Sequence, residues 1–346
     1  MDIRNRRALK QDAAGQLAQN HYPPRKLALI HAAVSVGVAI IITLLDFYLS
    51  YQIESTGGLS GMGMRRILET VQMTLRYVQS LALPFWQIGF VYVALRIYRG
   101  EQTEPASLLE GFRRFGPVLR LRLVELVFYF GAAIACVYAA SAIFVVTPFA
   151  TPMVDKIMPM IEPDATVEEM EAVIAQIPLE ELVQVALPFL GIFVVLFLIV
   201  GGLLFYRFRL AEFIVMDGEK TGGLRAMIFS GRMTRKNRLA LLRLDLSFWW
   251  YYGLLALTAV IGYLDIILPQ LGIDLPMPAD MAWFAFYILS LLVQMVVCWR
   301  SQSYVQTTYA AAYTVLQKKF LEQVAQQMAQ QTPPPQNLPW DEYKTE

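Results

Sequence analysis

Few side chains in this sequence could do chemistry, and they are scattered. The two histidines, His21 and His31, flank the start of the first long apolar run, so acid–base catalysis through either needs an aqueous mouth on that side. Cys136 and Cys298 fall at different depths of different apolar runs, which argues against a disulfide, and neither has the spacing of a metal site. The densest acid group is Glu212 with Asp217-Gly218-Glu219, and salt bridging to Arg207, Arg209 and Lys220 explains it more cheaply than catalysis. Glu162, Asp164, Glu168 and Glu169 form a second acidic stretch without calcium-loop spacing. There Thr166-Val-Glu-Glu169 reads as a capping box opening a short helix, with Met170, Val173, Ile174 and Ile177 on one face. There is no Gly-rich phosphate loop, no His-Glu-x-x-His and no elbow serine. The expectation is a protein without catalytic residues, cofactor or metal.

Two amides are the remaining polar candidates, Gln87 and Gln294, each in the middle of an apolar run. Gln87 follows Pro84, which cannot donate to the Ser80 carbonyl and should kink its helix. An amide beside a kink either lines a small intramembrane cavity or bonds a neighbouring helix. Gly131, Ala135 and Ala139 recur at four-residue spacing, with Ala132, Cys136 and Ala140 beside them, a small face suited to close helix contact.

The elements that hold these residues follow from six stretches of 19 or more residues without Asp, Glu, Lys or Arg. They are Leu27–Leu45, Tyr77–Leu95, Leu126–Val154, Leu182–Tyr206, Leu246–Leu264 and Met281–Trp299. About 20 apolar residues at ~1.5 Å rise cross a ~30 Å hydrocarbon core, and only helices satisfy their own backbone there. Pro148 and Pro152 should end the third helix early. With 56% hydrophobic residues and a mean hydropathy of +0.46, a water-soluble core is a poor alternative.

Cations alternate by side. Arg4, Arg6, Arg7, Lys10, Arg25 and Lys26 precede the first run, and the second-to-third and fourth-to-fifth connections are Arg-rich. The other three connections hold only Arg65, Arg66, Arg76 and Lys156. That asymmetry places both termini in the cytoplasm. The fold expected is all-α: a polytopic membrane bundle of six transmembrane helices, N-in/C-in, with two cytoplasmic amphipathic interfacial helices.

Three regions result. Residues 1–26 form a cytoplasmic amphipathic segment, with Ile3, Leu9, Ala13 and Leu17 as an apolar stripe for the inner leaflet, or else a mobile tail. Residues 27–320 form the membrane domain, with spans near 27–49, 77–98, 123–147, 182–206, 244–267 and 281–300 and an acidic external loop at 151–181. Residues 321–346, Gln-rich and then Pro-rich, read as a disordered tail. A net charge of +1 hides the basic side, which should draw anionic headgroups. No nucleic-acid motif accompanies the charge.

An internal repeat is also suggested. Gly100-Glu101-Gln102-Thr103 and Gly218-Glu219-Lys220-Thr221 each leave an inward span and precede a short amphipathic stretch. In the first, Pro105 suits a helix start, Leu108, Leu109, Phe112 and Phe115 share a face, and Glu110 reaches Arg114 at i+4. In the second, Thr221 is placed to cap and Leu224, Met227 and Ile228 share a face. The cations on and beside these stretches, Arg113, Arg114, Arg225, Arg232, Arg235, Lys236 and Arg238, are the candidate lipid or partner contacts.

Scattered motifs resemble a known pattern. Leu9-Lys10, Ala13-Ala14, Leu17 and Asn20-His21-Tyr22 open it. Gly89, Tyr92, Leu95, Arg99-Gly100-Glu101 and Gly111-Phe112 follow, then Gly201, Ile214 and Asp217. Ala226, Ser230, Met233, Lys236, Leu246-Ser247-Phe248, Tyr304, Thr308-Tyr-Ala310 and Tyr313 complete it. On these residues the chain resembles the bacterial integral membrane family catalogued as domain of unknown function 975. It departs from that pattern where Val200 and Ser303 replace proline and Trp250-Tyr251 replaces Gly-Trp. The resemblance implies a multi-pass protein of a bacterial cell membrane and brings no activity.

The expected function is a non-enzymatic helper, scaffold or lipid-interacting component, with lipid, a membrane protein or a second copy as partner. The alternatives are a small transporter or permease subunit for an amphipathic molecule, motivated by Gln87, and a membrane enzyme acting on lipid headgroups.

Overall fold

A computed structural model describes residues 2–20, 22–55, 62–151, 179–218, 221–273 and 276–331. His21, Glu219, Lys220 and the acidic stretch with its capping box lie outside the described residues. All regular structure among the described residues is helical. Two compact units divide the chain, Met1–Leu119 with Leu210–Glu346, and Arg120–Arg209.

In the first unit, α1 (Arg6–Gln19) opens at Asn5, whose side chain accepts from the Ala8 amide. It stops before Pro23-Pro24, and α2 (Pro24–Ser55) starts on the second of these prolines, where a missing N–H costs nothing. Helix α3 (Met62–Tyr98) passes through Pro84 and ends at Gly100, which has a φ of +72°. The Glu101 amide reaches back to the Arg96 carbonyl, so the glycine closes the helix in a left-handed cap. A 3-10 turn (Pro105–Leu109) and the single turn α4 (Glu110–Arg113) fold back on α3. Pro105 does open this element and Glu110 does pair with Arg114, at 3.2 Å. The face expected there splits: Leu108 is buried, whereas Leu109, Phe112 and Phe115 are exposed. Phe112 and Phe115 instead stack on Phe85.

Helix α5 (Phe115–Val145) passes from the first unit into the second, ending before a 3-10 turn at Pro148–Ala150. It faces α6 (Leu179–Phe208) within the second unit, with Phe128 against Phe208 at one end and Phe144 against Phe189 at the other. Those pairings make the two helices antiparallel. Glu125 is held by Arg122 at 2.7 Å. On the small face, Cys136 and Ala140 are buried while Gly131, Ala135 and Ala139 are exposed.

The chain returns to the first unit in α7 (Ala211–Asp217), α8 (Gly223–Thr234), α9 (Arg238–Leu246), α10 (Trp249–Gly262), α11 (Leu264–Gln270) and α12 (Ala279–Gln331). Gly222, not Thr221, is the N-cap of α8, without a side-chain bond. Its buried face is Ala226, Met227, Ser230, Met233 and Thr234, leaving Leu224 and Ile228 exposed. The reason is that α8 packs on α7 and α12, so tertiary contact chose the face. The Gly100 and Gly218 turns differ in backbone, φ being +72° at the first and −96° at the second. The four-residue match therefore does not extend to conformation at its first glycine.

Three expectations about long elements need correction. Residues 244–267 do not form one helix: α9 and α10 meet at 64°, with Ser247 and Phe248 closing the last turn of α9. No Gly or Pro marks that break. Helix α12 runs to Gln331, into the stretch expected to be a disordered tail, because the Gln, Ala, Leu, Glu and Met of 321–331 are all good helix formers. At ~1.5 Å per residue it is about 80 Å long, far more than a bilayer core requires. Most of the N-terminal stripe is not open to a leaflet: Ile3, Leu9 and Ala13 are fully buried, with α1 packed on α3 and α12, and Leu17 alone stays half-buried. Among the described residues five helices are long and apolar enough to cross a membrane, and a sixth if the bent α9–α10 pair counts as one span.

Candidate functional site

Asp217, the last residue of α7, gathers three side-chain donors in the first unit. Its carboxylate accepts from Arg99 at 2.6 Å, from the Tyr313 hydroxyl at 2.7 Å and from the Gln317 amide at 2.6 Å. A carboxylate at a helix C-terminus faces the wrong end of the macrodipole, so these donors are what hold it there. The Asp217 carboxylate in turn raises the Arg99 guanidinium above its usual range. Phe213 stacks on the Tyr313 ring, which sets the hydroxyl toward Asp217. One cluster thus joins the end of α3, the end of α7 and the middle of α12.

Arg114 completes the same corner. Its guanidinium donates to the carbonyls of Val215, Met216 and Gly218, which α7 leaves unsatisfied at its C-terminus. This commits the Arg114 guanidinium to backbone carbonyls of the fold. Arg114→Ala should lower the melting temperature, by about 2 kcal/mol of stability, while leaving binding to anionic vesicles unchanged. A drop in vesicle binding at unchanged stability would contradict this assignment.

Helix α1 makes a second set of bonds. Lys10 donates to the Ser247 carbonyl at 2.9 Å and lies 3.9 Å over the Phe248 ring; Arg6 donates to the Arg243 carbonyl at 3.3 Å. Two cations thereby cap the C-terminal end of α9. Partial burial, and then Arg6 nearby, pull the Lys10 pKa below its usual value. Asp12 accepts from the Tyr98 hydroxyl at 2.7 Å, and Asp2 pairs with Lys319 at 3.0 Å.

Two basic cavities border α1. One, of about 690 Å³, is lined by Ala14, Leu17 and Ala18, by Pro23, Pro24 and Arg25, by Trp250, and by Arg300, Ser301, Ser303 and Tyr304. The other, of about 530 Å³, is lined by Arg4, Asn5, Arg6, Arg7, Lys10 and Ser247. Arg6 and Lys10 are already spent on backbone carbonyls there.

The residues singled out from sequence fare differently. Arg225, Arg232, Arg235 and Lys236 are exposed, Arg238 is half-buried, and Arg113 is exposed beside Glu110 at 3.5 Å. Gln87 and Gln294 are both exposed on their helices and line neither cavity. His31 is buried, with its ring parallel to Trp86 at 5.4 Å and Gln302 as its side-chain polar neighbour. Its carbonyl accepts from the Trp86 indole at 3.1 Å. Asp217 does not pair with Arg207 or Arg209 but with Arg99, which lies 118 positions upstream in the numbering. Arg207 and Arg209 lie over Phe208 and Phe205.

Spacing alone could not find the Arg99–Asp217–Tyr313 cluster, because its members lie in three distant segments. Elsewhere in the first unit the Ser230 hydroxyl accepts from the Leu210 amide. No family model, no curated protein and no solved structure matches this chain.

Proposed function

We propose that the chain is a six-span protein of a bacterial cell membrane, N-in and C-in, that serves as a non-enzymatic helper or scaffold engaging anionic lipid on the inner leaflet. Membership in the family named above is part of this proposal. The observation that carries it is α9. This helix leaves α10 at 64°, so that if α10 crosses the bilayer, α9 runs closer to the membrane plane. Its exposed residues mix Leu239, Arg243 and Leu246, with Arg235 and Lys236 before it and Trp249 after it. Cations beside apolar and aromatic side chains on the exposed face of one helix suit the headgroup boundary.

Two measurements test this reading. Reporter fusions after Phe115, Lys236 and Phe320 should read cytoplasmic, and fusions near Gly61 and Glu168 should read external; one reproducible reversal would sink the six-span topology. Neutralising Arg232, Arg235, Lys236 and Arg238 together in the full chain should weaken its enrichment of anionic over zwitterionic lipid. The residual enrichment should also be less sensitive to salt. Enrichment of the same size and salt dependence would refute the lipid role of this face.

A further inference from the structure

We propose that the 690 Å³ cavity beside α1 is a binding site for one anionic phospholipid, with its phosphate on Arg25 and Arg300. The proposal rests on the inner-leaflet reading above and names a discrete site within it. Arg25 stands two residues before Leu27, where the first uncharged run begins, and Arg300 directly follows Trp299, where the last one ends. The Ser303 hydroxyl donates to the Pro24 carbonyl at 2.9 Å, which ties those two helix ends side by side. Both guanidinium groups therefore sit at one edge of two hydrocarbon-length segments. That edge is the headgroup level of the inner leaflet in an N-in, C-in topology.

The chemistry of the walls agrees with an amphipathic anion. Arg25 and Arg300 have neither ion pair nor hydrogen bond among the described residues, in contrast to Arg6, Lys10, Arg99 and Arg114, which are committed to partners. Two uncommitted guanidinium groups fit a phosphate diester, which presents paired oxygens to them. Trp250 and Tyr304 are the amphipathic aromatics favoured at this depth, and Leu17 with Pro23 gives the cavity an apolar side for glycerol and the start of an acyl chain. The volume falls in the range of small-molecule sites.

The test uses the full chain reconstituted in bilayers of equal phosphatidylglycerol and phosphatidylcholine. The protein is then extracted and the retained lipid is counted by native mass spectrometry. Wild type should retain phosphatidylglycerol selectively, and Arg25→Gln with Arg300→Gln should reduce that retention by about fivefold for each arginine. If the double variant does not fold, the two single variants decide by the same loss. Undiminished retention in variants that melt like wild type overturns the cavity assignment. The inner-leaflet reading then survives if the Arg232, Arg235, Lys236, Arg238 variant loses retention instead. No selectivity in wild type overturns both. Displacement of the lipid by millimolar inorganic phosphate would mark a free-anion site and also overturn the assignment.

Discussion

Alanine at Gly89 or at Gly111 should destabilise the protein by about 3 kcal/mol, the upper end of overpacking costs, and lower its melting temperature in detergent by roughly 4 °C. Each glycine lies in a contact between α3 and the turns that follow it. A Cβ added at Gly89 would fall on the Leu108 carbonyl, and one at Gly111 on the Phe85 carbonyl. Backbone atoms cannot rotate away as a side-chain tip can, so the 3-10 turn and α4 would have to separate from α3. That separation would open the cluster of Trp86, Phe90, Val93, Ile97 and Leu108, and with it the seat of Arg114. Gly37→Ala is the matched control. It is also helical but has nothing within 4 Å of an added Cβ, so it should be neutral or stabilising by up to ~1 kcal/mol. Equal melting shifts for the three variants would refute the close-contact account.

Asp217→Ala should cost about 3 kcal/mol, because it leaves Arg99, Tyr313 and Gln317 without their shared acceptor. Tyr313→Phe should cost about 1 kcal/mol, since it removes one bond and keeps the stacking on Phe213. Because Arg99 remains about a third exposed, the guanidinium recovers part of its solvation when the acid is lost, and the cost stays at the lower end of buried-pair values. A double-mutant cycle of Asp217→Ala with Arg99→Ala measures the pair directly. The combined loss should fall short of the sum of the single losses by 1 kcal/mol or more. Additive losses would show that the two residues act independently. The wider consequence is for assembly: without this carboxylate, the ends of α3 and α7 and the middle of α12 lose the acceptor that Arg99, Tyr313 and Gln317 share.

Helical class and the positions of the long apolar segments were legible from the residues alone. Both are local properties. Periodicity, charge-free length and helix-compatible composition act on a segment wherever it packs. Local end signals were equally legible: Pro105 opened its turn, Pro148 followed the end of α5, and the spacing of Glu110 and Arg114 gave a real ion pair. Tertiary structure decided which side of an amphipathic segment is used. Helices α1 and α8 each carry apolar residues that could serve a leaflet or a neighbour, and contact with α3, α7 and α12 settled the matter for Leu9, Ala13, Met227 and Met233. Tertiary structure also chose the partners of the charges. Local spacing offered Asp217 the arginines on its own segment, and the fold supplied Arg99 and Tyr313 from distant ones. The bend between α9 and α10 and the cavity between Arg25 and Arg300 belong to the same class. Each depends on where helices end relative to one another, which pairwise spacing along a chain does not encode.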